Sequence, residues 1–293
     1  MGKIKIGTHV IEITNEDKIL FPESKITKGD LINYYKNIGK FMLPYLKDRP
    51  ISMLRYPLGI SKEGFYQKEA GEYFPKWIKT KKIKKEDGFV NQVIINNIAT
   101  LVYLANQACI SPHIWLSRTD KINYPDKIVF DLDPSGKNFN HVREGAILLK
   151  DKLDSMGLIS YAMLTGSRGI HVIVPIKRKY DFDYVRNFAQ DIARDLVNKN
   201  KNLFTLEMRK AKRGKKVFID TLRNAYAQTS IAPYAVRPIE GAPVATPILW
   251  QEVLDNKLTP DKYNIKNIFN YLEKNKNKKI WGNFLKKRGE ICV

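Results

Sequence analysis

The residues with the clearest chemical potential are two aspartates one position apart, within Ile128-Val129-Phe130-Asp131-Leu132-Asp133-Pro134-Ser135-Gly136. The segment reads as a short buried strand stopped by its proline and glycine. Side chains alternate across a strand, so Ile128, Phe130 and Leu132 point into a core. Val129, Asp131 and Asp133 point the other way, with the two aspartates roughly 7 Å apart at Cα. Two carboxylates side by side repel each other unless a cation lies between them. A pair of divalent metal ions satisfies that geometry; two solvated aspartates at a strand end are the plainer alternative. Val217-Phe218-Ile219-Asp220 reads as a later strand that also ends in an aspartate, and Asp220 is the natural third ligand.

Carboxylates that hold metals on a strand suit phosphoryl transfer, which needs cations around phosphate more than covalent help. A triphosphate grip is available in Gly166-Ser167-Arg168-Gly169-Ile170-His171. A glycine turn exposes backbone N–H groups, and Ser167, Arg168 and His171 add side-chain donors. Ordinary turn use for Ser167, and a structural role for His171 and for His113, are the competing readings. Phe65-Tyr66, entered from a loop bracketed by Gly59 and Gly64, could stack on nucleic-acid bases rather than pack.

The elements that must position these groups follow from periodicity and turn chemistry. Residues 3–13 read as one or two short strands before a turn at Asn15–Lys18. Thr27 looks like an N-cap with Asp30 three residues on, opening a helix that Pro44 and Pro50 punctuate. Strands are expected at 51–56 and 89–95, a helix from Asn97 to Cys109, and a strand at 111–118 that carries His113. The aspartate strand follows. A helix over 140–156 closes on Gly157, a hairpin joins 159–165 to 170–176, and a second helix covers 183–197. Strand, helix, hairpin, helix, strand between 128 and 220 predicts two helices on one face of a largely antiparallel sheet. That is an α+β split-βαβ arrangement, not a doubly wound Rossmann fold. Beyond it four prolines mark an irregular stretch, and two or three helices end the chain, the best at 265–274.

The charge bears on the partner. Fifty-one Lys and Arg against 30 Asp and Glu give +21 over 293 residues. A globular protein this basic usually meets a polyanion, with nucleic acid the default. Six lysines lie between Lys76 and Lys85, six basic residues between Arg209 and Lys216, and the stretch from Lys274 to Arg288 is basic too. No apolar run reaches the roughly 20 residues that span a bilayer, so no membrane is expected. Cys109 and Cys292 have no metal spacing and suit a reducing cytosol, at the nucleoid if DNA is the partner.

Taken together, the segments closely resemble the polymerase domain of bacterial and archaeal ligase D. That domain is a branch of the archaeo-eukaryotic primase superfamily that acts in non-homologous end joining. The matching segments are Asp17–Pro22, Ile26–Asp30, Gly64–Lys68, His113–Arg118, Phe130–Pro134, Gly166–His171, Phe218–Asn224, Ala232–Arg237 and Gly241–Pro247. The resemblance implies a primase-polymerase fold with an RRM-like split-βαβ catalytic sheet and an N-terminal α/β lobe. The lobes would run over about 1–115 and 116–245, with C-terminal helices over 246–293. It implies a template-dependent, ribonucleotide-preferring nucleotidyltransferase using two divalent ions (Mn2+ or Mg2+) and NTP or dNTP. Asp131, Asp133 and Asp220 become the metal ligands. His113, Ser167, Arg168 and His171 contact the nucleotide, and Arg237 or Arg213 its phosphates or the primer end. Asn15, Lys18 and Lys28 form a pocket for a DNA 5′-phosphate, and Phe65 and Tyr66 stack on template bases. The expected partners are 5′-phosphorylated gaps or ends, a Ku-type end binder and a separate ligase, with the 293 residues read as either an excised polymerase domain or a stand-alone protein. Arg168 departs from the family's usual lysine, which keeps charge but changes geometry. Two other readings stand beside this one. One is a haloacid-dehalogenase phosphatase using Asp131 and Asp133, and the other is a non-catalytic DNA-end-binding module.

Overall fold

A computed structural model of the chain describes residues 2–85, 87–136, 138–276 and 280–291. A hairpin of β1 (Gly2–Ile6) and β2 (His9–Ile13) comes first, then β3 (Ile19–Phe21), β4 (Ile26–Thr27) and α1 (Lys28–Leu46). Thr27 closes a capping box on α1: its hydroxyl accepts from the Asp30 N–H at 3.1 Å, and the Asp30 carboxylate accepts from the Thr27 N–H at 2.9 Å. Pro44 marks the exit of this helix without ending it. It lies in the last turn, where its missing N–H removes one helical bond, and buried Met42 and Leu46 hold the turn in the core.

Next come β5 (Ile51–Arg55), β6 (Phe65–Gln67), β7 (Thr80–Lys85), β8 (Gly88–Val93), α2 (Ile98–Asn106) and β9 (Cys109–Trp115). The strand β7 falls in the lysine-rich segment; of its own six residues only Ile83 is buried, and no alternation is visible. Helix α2 stops before Cys109, because Ala108 adopts a left-handed φ of 56° and turns the chain into β9.

The second half holds β10 (Lys127–Pro134), α3 (Phe139–Ser155), β11 (Tyr161–Leu164), β12 (Ile170–Pro175), α4 (Phe182–Lys199), β13 (Phe204–Thr205) and β14 (Val217–Asp220). Then follow β15 (Thr229–Ile231), β16 (Thr246–Ile248), α5 (Trp250–Val253) and α6 (Ile268–Lys274). The main sheet has the order β13-β14-β10-β12-β11-β16. Its four inner strands β14, β10, β12 and β11 pair antiparallel throughout, in the split-βαβ order read from the sequence. Both α3 and α4 pack on β10 and on each other, covering the face of Ile128, Phe130 and Leu132.

A second sheet, β15-β9-β5-β6, is built mostly from the first half but takes β15 from beyond β14. The lobes are therefore interleaved in sequence, and β16 belongs to the main sheet rather than to a helical tail. Arg49, after α1, donates to both Asp126 oxygens at 2.6 Å, just before β10. Burial alone would raise that carboxyl. Arg49, then Lys127 and Arg118, hold it well below the usual carboxylate range. Residues 277–279 of the basic C-terminal stretch, and Cys292, lie outside the described residues.

Candidate active site

Strand pairing builds the centre of the site. In the register of β14, β10 and β12, Asp220 lies opposite Asp131, and Asp131 lies opposite His171. Directly opposed side chains share a face with Cβ atoms about 4.5–5.5 Å apart, and like charges so placed destabilise a sheet. Asp133 is two residues further along the same face, opposite Phe218. Burial, and then the neighbouring Asp131, push the Asp133 carboxyl up. Burial chiefly pushes Asp220 up as well, with Asp131 adding to it against the Leu222 N–H. Burial opposes ionisation of Asp131 too, but His171 first, then Arg223 and Arg237, hold it below its ordinary value.

No three His, Cys, Asp or Glu side chains among the described residues are already closed into an ion cage. Asp131 leans on His171 Nε2 at 3.4 Å, while Asp220 accepts the Leu222 N–H at 2.7 Å. The donor set nonetheless fits divalent cations: three carboxylates on one sheet face, with Asp133 and Asp220 both raised by burial and by Asp131.

The turn between β11 and β12 is stapled by Thr165, whose hydroxyl accepts the Gly169 N–H and donates to the Gly169 carbonyl, both at 3.1 Å. Gly166 takes φ 68°, and a Cβ there would stand 2.8 Å from the Val244 backbone. At Gly169 a Cβ would meet the Leu132 carbonyl oxygen at 2.2 Å, so only glycine lets the turn lie this close to the aspartate strand. Ser167, Arg168 and His171 accordingly line one cleft with Asp131 and Asp133.

His113, Tyr66, Arg223, Ile231 and Arg237 line the same cleft. His113 Nε2 and Arg237 Nε are buried and have no hydrogen-bond partner. Burial, then Arg237, Arg223 and His171, push His113 well below the usual imidazole range, so it is neutral. Its unpartnered nitrogen weighs against a purely structural histidine. His171, by contrast, is held between Asp131 and the Ser230 hydroxyl, 3.4 Å from its Nδ1.

Arg213 is not among the residues lining that cleft. Its guanidinium donates to the Glu207 and Met208 carbonyls and lies 3.7 Å over the Phe218 ring, beside Asp133 in the register. Phe65 and Tyr66 are exposed on the edge strand β6. Phe65 lies 5.6 Å from the Arg55 guanidinium, and Tyr66 stands edge-on to His113 at 5.4 Å.

Asn15, Lys18 and Lys28 converge elsewhere. Lys18 N–H donates to the Asn15 carbonyl at 3.1 Å, and Lys28 N–H to the Lys18 carbonyl at 2.8 Å. Buried Lys28 Nζ donates to Thr14 Oγ1 at 3.1 Å and to the Asn106 carbonyl at 3.2 Å. Burial first, then the Lys18 ammonium, lower its pKa.

Two residues escaped the sequence reading. Arg223 Nε stands 3.9 Å from Asp131 Oδ2. Asn224, fully buried, exchanges two 2.8 Å bonds with the Val129 backbone and so ties the chain after Asp220 to β10. Their position three and four residues after a strand-end aspartate was the available signal.

A family model described as the LigD primase-polymerase domain matches residues 27–281. The chain belongs to this family. It is 34% identical over 266 residues to the bifunctional non-homologous end joining protein LigD of Bacillus subtilis, covering 90% of this chain and 43% of that protein. The multifunctional LigD of Mycolicibacterium smegmatis is 32% identical over 251 residues, covering 85% of this chain and 33% of that one. The chain thus spans less than half the length of these relatives. The polymerase domain from Mycobacterium tuberculosis Ligase D, solved in complex with DNA, superposes with a TM-score of 0.87 at 25% identity, covering 95% of this chain and 99% of that one. The haloacid-dehalogenase reading falls here, because it needs parallel strands and both neighbours of β10 run antiparallel to it. Among the described residues, no helix is long and apolar enough to cross a membrane.

Proposed function

We propose that this LigD-family primase-polymerase domain adds nucleotides to a primer opposite a DNA template, at gaps or broken ends in non-homologous end joining. One observation carries the reading: Asp220, Asp131 and His171 stand in a row across three adjacent strands, and Asp131, Asp133 and His171 of this group line a cleft ringed by arginines and histidines. Asp131, Asp133 and Asp220 would hold divalent ions, Mn2+ or Mg2+. The chemistry those ions supply when bound is activation of the primer hydroxyl and neutralisation of charge on the transferring phosphate. Ser167, Arg168 and Arg237 offer donors to the triphosphate of an NTP or dNTP, and neutral His113 a ring nitrogen to the nucleotide. His171 orients Asp131. Phe65 and Tyr66 present rings to template bases. Arg213 guards the rim on the Asp133 side, where it can meet the primer end.

Lys18 and Lys28, with Asn15, suit a 5′-phosphate. The first N–H groups of α1 are already taken by Lys18, Glu16 and Thr27, so ammoniums rather than helix amides would hold the anion. Two of the three Lys28 donors are used, and the third can meet phosphate. Lys28→Met should weaken binding to gapped DNA only when the downstream end carries a 5′-phosphate. Equal loss with and without that phosphate would reduce Lys28 to a general backbone contact. The ribonucleotide preference, the Ku-type partner and the separate ligase belong to the same proposal. The function itself is tested by offering a singly gapped duplex with each of the four NTPs in turn and Mn2+. Addition of only the complementary nucleotide is expected; no addition, or addition without regard to template, would refute it.

A further inference from the structure

The backbone directly before Arg237 is held in an unusual way. Val236 bridges Val244, but the cross-strand bonds there are made by its neighbours: Arg237 N–H donates to the Pro243 carbonyl at 2.7 Å, and Ala245 N–H to the Ala235 carbonyl at 2.9 Å. Both polar groups of Val236 therefore face away from that bridge, at a residue fully buried from solvent. Each finds a side chain from the N-terminal lobe. Val236 N–H donates to the Tyr35 hydroxyl at 3.1 Å, and that hydroxyl donates onward to the Ile110 carbonyl at 2.5 Å. The Val236 carbonyl accepts from the Ser111 hydroxyl. Tyr35, Ser111 and Val236 are all 1% exposed or less.

On this geometry we propose that Tyr35 of α1 and Ser111 of β9 are positioning residues for Arg237. They fix the peptide from which its guanidinium reaches the nucleotide cleft. The proposal rests on the reading of Arg237 as a triphosphate contact. The alternative use of these hydroxyls, as plain core hydrogen bonds, does not explain why they converge on one residue. Nor does it explain why that residue precedes a guanidinium whose Nε is buried and unpartnered. Burial, then the nearby Cys109, push the Tyr35 phenol well above its ordinary value, so it stays protonated and able to donate.

The test is a double-mutant cycle on the full chain, read as equilibrium binding of a fluorescent NTP with Mn2+. Tyr35→Phe should weaken binding about tenfold in the wild-type background and not at all in Arg237→Ala. Amide exchange at Val236 and Arg237 should quicken in Tyr35→Phe. Equal weakening in both backgrounds, or no weakening in either, would overturn the proposal. Unchanged exchange at Val236 would overturn the positioning alone, whatever the nucleotide does; a wild-type chain that binds no nucleotide would overturn the reading of Arg237 with it. If Tyr35→Phe fails to fold, Ser111→Ala removes the other hydroxyl and enters the same cycle with the same expected outcomes.

Discussion

At the scale of single residues, Asp131, Asp133 and Asp220 were legible because strand alternation and strand ends are local facts. What the sequence could not reveal is which residue faces which. The register that sets Asp220 and His171 on either side of Asp131 joins residues some 40 and 90 positions apart. Arg223 and Asn224 were missed for a similar reason: their partners, Asp131 and the Val129 backbone, are distant in sequence. Asn224 carries a direct prediction. Replacing it with Ala would leave the buried Val129 N–H and carbonyl unpaired on the aspartate strand. Asn224→Ala should therefore lose about 3 kcal/mol in a denaturant titration, since unpaired buried groups cost about 1–3 kcal/mol each. A loss below about 0.5 kcal/mol would show that the Asn224 clamp is dispensable.

At the scale of elements, the Thr27 cap and the split-βαβ order were readable, because Thr27 with Asp30 announces a helix start and the hairpin has glycines at its turn; that Asn97 and Asp181 cap α2 and α4 emerged only from the structure. The strand β7 was not, because four of its six residues are lysines and a single buried Ile83 gives no period. The prediction at this scale concerns the glycine turn. A Cβ at residue 169 would collide with backbone of the central strand, which cannot yield without breaking its pairing to β12. Gly169→Ala should cost about 2–3 kcal/mol, as strained or overpacked substitutions do, and should lower nucleotide affinity more than tenfold. Thermal melting and nucleotide binding check the two parts. Full affinity in a stably folded variant would show that the close approach of turn and aspartates is not needed. Helix α1 is notable here because it starts at Lys28 and carries Tyr35 two turns later, so one rigid element joins the proposed 5′-phosphate pocket to the segment before Arg237.

At the scale of the whole molecule, the charge of +21 was visible from composition, and the proposed binding of DNA would draw on it through counterion release. The logarithm of DNA affinity should fall linearly with the logarithm of salt, by about 0.9 per phosphate neutralised. A salt-independent affinity would contradict the basic surface as a DNA contact. The junction of the lobes responds to acid instead. The Asp126 carboxyl is depressed in the folded chain, so its contribution is fully present above the unfolded value near 3.9 and drains away as pH falls toward the folded one. Wild-type stability should therefore drop below about pH 4, and Asp126→Asn should lose about 3–5 kcal/mol at neutral pH by leaving buried Arg49 unpaired. Denaturant titrations of both proteins at pH 7 and pH 3.5 check this, with the gap between them narrowing in acid.

The most direct test of the account is the rate of single-nucleotide addition at a 5′-phosphorylated gap by Asp131→Asn. This change keeps shape and removes one charge from the centre of the carboxylate row. The account predicts a fall of at least about a thousandfold, on the scale of losing a principal electrostatic contact in phosphoryl transfer, with the fold and gapped-DNA affinity unchanged. A variant that adds nucleotides within tenfold of the wild-type rate would contradict it.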